Sequence, residues 1–96
     1  MPTYIMLLNW TDKGAQDAKD APARAERARQ AAKDMGGELK GVYMVMGQYD
    51  FVAILELPSD EAMAKFAIKT SQLGFVQTET LRAFTEAEYG QIVASL

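Results

Sequence analysis

The sequence predicts an α+β protein on the ferredoxin-like βαββαβ plan, a four-stranded antiparallel sheet with a short helix added at the C-terminal end. Three observations predict it. Segments of extended character alternate with segments of helical spacing in the order strand, helix, strand, strand, helix, strand, short helix. The central pair is joined by Met44-Val45-Met46-Gly47-Gln48-Tyr49-Asp50-Phe51-Val52, where a glycine and an aspartate separate two apolar runs, as in an antiparallel hairpin. The extended segments are also apolar on both alternating sets of residues, which decides how the sheet must be covered.

In chain order, Thr3 to Trp10 carries apolar side chains in both sets, Tyr4/Met6/Leu8 and Ile5/Leu7, and reads as a strand buried on both faces. Thr11-Asp12-Lys13-Gly14 supplies a cap-like residue and a breaker, so residues 11–20 read as an irregular connection with room for one helical turn. Asp20-Ala21-Pro22 opens the first long helix, with proline in the first turn where its missing N–H costs nothing. Ala25, Ala28, Ala32 and Met35 form its apolar stripe, and Gly36-Gly37 ends it. Its arginines, interspersed with an acid, read as a solvated face.

Glu38 to Met46 and Asp50 to Leu57 are the hairpin strands. A glycine can take the positive φ of a tight turn, and a nearby carboxylate can accept from turn amides. Pro58-Ser59-Asp60-Glu61 gives a stop, an N-cap and an acidic first turn, and the second long helix follows through Met63, Phe66, Ala67, Thr70 and Leu73 to Gly74. Phe75 to Phe84 is the fourth strand. Its facing is open, because Thr78, Thr80 and Arg82 share one parity while Leu81 and Ala83 share the other. Thr85-Glu86-Ala87-Glu88 is a capping box that opens the last helix through Tyr89, Ile92 and Val93.

The 96 residues, about half of them apolar, suit one domain over residues 1–96. A net charge of −3 disfavours nucleic-acid binding, which needs a surplus of Lys and Arg. Cys and His are both absent, which removes disulfides, thiolate nucleophiles, Ser-His-Asp triads, cysteine-ligated metal and a haem ligand. No compact acidic cluster suggests another metal site, and no cofactor is expected. Gly36-Gly37-Glu38-Leu39-Lys40-Gly41 follows a helix and precedes a strand, the reverse of a phosphate-binding loop. The start lacks the features of a signal peptide and no apolar run could span a bilayer, so a soluble cytoplasmic protein without membrane partners is expected.

Both long helices of the predicted plan lie on one sheet face. The other face would leave an apolar surface larger than monomers tolerate, and pairing with a second copy buries it. A homodimer joined through its sheets is therefore expected, with a higher oligomer compatible.

Pro2-Thr3-Tyr4-Ile5-Met6-Leu7-Leu8-Asn9-Trp10-Thr11, the Met46-Gly47-Gln48-Tyr49-Asp50 hairpin and Thr80-Leu81-Arg82-Ala83-Phe84-Thr85-Glu86 together resemble the GYD-domain family over nearly the whole chain. That resemblance implies a small protein of the dimeric α/β-barrel type and assigns no reaction. The hairpin is also similar locally to the Gly-x-x-Asp hairpin of the effector-binding domain of Lrp/AsnC-type regulators. Asn9, Trp10, Tyr43 and Arg82 are similar in composition to the polar and aromatic set of cofactor-independent quinol monooxygenases.

Five residues stand out as candidate ligand contacts: Trp10, Tyr43, Tyr49, Asp50 and Arg82. Tyr49 and Asp50 put a phenol beside a carboxylate and could orient a ligand hydroxyl, or they could serve only the turn. Arg82 could clamp an anion, or pair with Glu56, Asp50 or a carboxylate across the dimer. Trp10 and the methionines Met6, Met44, Met46 and Met63 suit core or interface packing. The expected function is a non-catalytic oligomeric module that binds a small, partly aromatic or carboxylate-bearing molecule between the open sheet face and the partner. The alternatives are a cofactor-free monooxygenase or isomerase with Tyr or Asp as base and Arg82 as oxyanion partner, and a purely structural oligomer.

Overall fold

The computed structural model describes residues 1–96. β1 (Thr3–Trp10) is followed by α1 (Asp12–Gln16), a 3-10 turn (Ala18–Asp20), α2 (Ala21–Asp34), β2 (Glu38–Met44), β3 (Phe51–Glu56), α3 (Asp60–Gln72), β4 (Val76–Ala83) and α4 (Glu86–Ala94). The strands form one antiparallel sheet in the order β2-β3-β1-β4, so the ferredoxin-like α+β plan is the fold. No helix is long and apolar enough to cross a membrane.

Register decides which side chains meet. Tyr4 sits opposite Leu55 and Met6 opposite Ala53, and these residues pack with Ala32 of α2 and with Met63 and Phe66 of α3. This is the core, between one face of the sheet and the two long helices. The intervening residues point the other way: Ile5 faces Ile54, and Leu7 faces Val52. The β1–β4 register resolves the open parity of the fourth strand. Thr78, Thr80 and Arg82 lie opposite Leu8, Met6 and Tyr4 on the helix-bearing side, and Leu81 joins Ile5 on the open side.

Three local features depart from the sequence reading. The connection after β1 is more ordered than expected, since the Thr11 hydroxyl caps α1 by accepting from the Gly14 amide at 3.1 Å. Gly14 is not a breaker but a buried point of close approach, where a Cβ would stand 2.0 Å from the Phe75 carbonyl oxygen. Thr11 stitches the same contact, its amide donating to Phe75 O and its hydroxyl to Gly74 O. Gly14→Ala is therefore expected to lower stability by about 1–3 kcal/mol, read from the urea midpoint at unchanged m-value.

The second departure is the hairpin, whose strands stop earlier than expected, at Met44 and Phe51. Val45 N–H still donates to Asp50 O, but Asp50 N–H donates to Leu8 O, so Asp50 has turned from β2 toward β1. Gly47 takes φ +118° at the exposed tip, the backbone region glycine was expected to supply. The third is a register shift in β2 between Leu39 and Gly41. It lets Leu39 and Val42 both face the helices although strict alternation would oppose them.

At the C-terminal end the capping box forms as read, Thr85 Oγ accepting from Glu88 N–H and Glu88 Oε1 from Thr85 N–H. The Thr85 amide holds the Glu88 carboxyl below the usual carboxylate range. α4 buries none of its residues, and Tyr89, Ile92 and Val93 are about half exposed.

Candidate functional site

The sheet geometry divides the five candidate residues instead of gathering them. Trp10 ends β1 on the helix side, its ring edge-on to Phe51 with centroids 5.1 Å apart. Arg82 is on the same side, over the rings of Tyr4 and Phe84. Tyr43, opposite Val52, is on the open side and 59% exposed. Tyr49 reaches Glu79 of β4 through a long hydroxyl contact of 3.4 Å.

Asp50 lies between the two sides with a structural task. Its Oδ2 accepts from the Trp10 backbone N–H at 2.9 Å, supplying an acceptor to the end of β1 beyond its last pair with β3, Leu8 with Phe51. The expected ion pairs of Arg82 with Glu56 or Asp50 do not form. Arg82 donates to the carbonyls of Thr3 and Ala83, while Glu56 pairs with Lys40 at 3.8 Å. Among these residues no phenol and carboxylate are joined to each other, so the acid–base pairing suggested for Tyr49 and Asp50 is not what either group does here.

Two surfaces remain. The open sheet face carries Ile5, Leu7, Val52 and Ile54 on its central strands, with Tyr43 and Leu81 beside them. Around this centre lie Asn9, Glu56, Gln77 and Glu79, which register places on the same side nearer strand ends or on the edge strand. The face is apolar in the middle and polar at the margin, the composition of a protein interface.

The other surface is a cavity of about 380 Å³ between α2, α3 and the sheet. Trp10, Phe51, Phe66 and Phe75 supply its aromatic walls, and the alanines of α2 leave room where larger residues would close it. Trp10 is the one candidate residue that lines it. The sequence reading missed this cavity because Arg24 was taken for part of a solvated helix face. The available signal was the run of alanines in α2, which fits a helix that approaches a sheet without filling the space beside it.

A further group went unnoticed in the sequence: Tyr4, 3% exposed, donates its hydroxyl to Asp60 at the start of α3. Burial, reinforced by the Asp60 carboxylate, pushes its phenol up to about 12. The folded chain thus holds this proton more tightly than the unfolded chain, where tyrosine titrates near 10. The stabilisation is complete below pH 10 and is lost as pH climbs toward 12. Between those values the stability of the natural chain is expected to fall by about 2 kcal/mol more than that of Tyr4→Phe, measured by denaturant titration.

The family model described as GYD domain matches residues 4–93. A protein of Thermus thermophilus named glutamine synthetase and cystathionine beta-lyase binding protein is 34% identical over 89 residues, covering 92% of this chain and 94% of that one. The crystal structure of TTHA0845, also from Thermus thermophilus, superposes with a TM-score of 0.57 at 27% identity, over 88% of this chain and 94% of that one. The leucine response regulatory protein of Mycobacterium tuberculosis superposes with a TM-score of 0.58 at 14% identity, over 88% of this chain and 51% of that one, a likeness of fold.

Proposed function

The chain belongs to the GYD-domain family, and from that premise we propose that it is a non-catalytic binding module which pairs through its open sheet face and carries other proteins as partners. One observation supports the pairing above all. Ile5, Leu7, Val52 and Ile54 lie together on a face that neither long helix covers. Four strands of six to eight residues span roughly 400 Å² in plan, polar margin included, the size of the largest and often functional patch on a monomer's surface. A two-fold arrangement sets this apolar centre against itself and leaves the polar margin at the rim.

That the partners are proteins draws on the relative named for binding two metabolic enzymes, which aligns with nearly all of this chain. The purified protein is expected to run as a dimer in light scattering at micromolar concentration. It is also expected to bind glutamine synthetase or cystathionine β-lyase of its own organism with a micromolar or tighter Kd in biolayer interferometry. A monomer in the first experiment removes the pairing; binding to neither enzyme at 100-fold higher concentration, roughly 3 kcal/mol weaker, removes the protein partners.

A further inference from the structure

We propose that the cavity between α2, α3 and the sheet is a binding site for a medium-sized apolar carboxylate, whose hydrocarbon or aromatic body lies among the aromatic walls and whose anionic head meets Arg24. The volume of about 380 Å³ lies within the range of small-molecule sites. Its charged lining residues are Arg24, Arg27 and Lys69, with no carboxylate among the lining groups. A site of that composition favours an apolar body with one negative end and disfavours a cation or a fully polar molecule.

Arg24 carries the head-group assignment. Its guanidinium lies 4.3 Å from the centre of the Phe75 ring, and Nη1 donates to the Asp17 carbonyl at 3.1 Å. These contacts fix the plane of the fork. Nη2 is buried and has no protein acceptor. A buried donor of a charged group left without a partner is costly, and a carboxylate oxygen is the acceptor that fits it best. Lys13, whose ammonium also contacts the Phe75 ring at 4.6 Å, adds positive potential near the same end.

The cavity is lined by elements of one protomer, so this proposal does not rest on dimerisation. Trp10 lines it and is the chain's single tryptophan, which makes intrinsic fluorescence a direct reporter. The experiment titrates octanoate and, separately, the neutral 1-octanol, into the natural protein, Arg24→Gln and Ala28→Phe, by Trp10 fluorescence and calorimetry. Octanoate is expected to bind once per chain and about tenfold or more tighter than octanol, the difference a charge-assisted hydrogen bond supplies.

Arg24→Gln is expected to remove that preference while leaving octanol binding unchanged, and Ala28→Phe, which fills the space, to abolish both. Should Ala28→Phe fail to fold, the Arg24→Gln comparison decides alone. No saturable binding of either probe, or equal affinity for both in the natural protein, overturns the site. A preference for octanoate that survives Arg24→Gln overturns the role of Arg24. Repeating the titration on an open-face variant that no longer pairs distinguishes this proposal from the dimer: octanoate affinity is expected to be retained.

Discussion

Ile54→Asp is expected to abolish the proposed pairing while leaving the protomer folded. Ile54 lies on the open face opposite Ile5 and across from Gly41, outside the core formed with the helices. Its replacement removes little from the protomer's own packing. In a two-fold pairing, however, the substitution occurs twice, and each carboxylate is carried into an apolar centre with no cation to meet it. An unpaired charge buried in this way costs about 3–5 kcal/mol, so the dissociation constant is expected to rise by at least about a thousandfold. Sedimentation velocity at micromolar concentration should show one slower species with native far-ultraviolet dichroism. A dimer that persists with unchanged affinity means that the face is not the interface.

Leu55→Ala is expected to do the reverse. Leu55 is the next residue along β3 but points to the helices, is fully buried, and packs with Tyr4, Phe66 and the rest of the core. Removing three carbons from such a site costs transfer free energy and leaves a cavity that the surrounding helices only partly close, about 3 kcal/mol in all. For a domain of this size that lowers Tm by roughly 10–20 °C. Where the protein remains folded, it should still pair, since none of the open-face side chains has changed. Adjacent positions on one strand thus separate stability from association, and equal effects of the two substitutions on both properties would contradict the assigned register.

That pair also shows what the sequence could and could not reveal. The alternation of Phe51 to Leu57 made a strand with two apolar faces legible, because the period of two survives any choice of neighbour. Which set faced the helices depended on pairing with Tyr4 and Met6, more than forty residues away, and was not encoded locally. The fourth strand was ambiguous for the same reason until Ile5 fixed the direction of Leu81. In β2 the register shift after Leu39 breaks the alternation itself, so parity alone does not bring Leu39 and Val42 to the same side.

Candidate side chains were less legible than elements. Asp50 reads as a turn residue by type, yet its carboxylate serves the Trp10 amide on another strand, a contact no local pattern announces. Arg82 and Tyr43 share a sheet but not a side of it. Gly14 looks like a breaker when only its neighbours in sequence are considered, and becomes a contact point once Phe75 is brought against it. Arg24 shows the limit most clearly, since a basic residue on an exposed-looking helix becomes notable only when one of its nitrogens is found enclosed beside an aromatic cavity.

The closing helix has a consequence of its own. Its first turn is locked by the Thr85–Glu88 box, yet its nine residues bury no side chain in the body of the protein. A helix this short holds poorly in water without a surface to lean on. Its last turns should therefore melt well before the rest on gentle warming, trimming first under limited proteolysis and losing amide protection within the fastest exchange window.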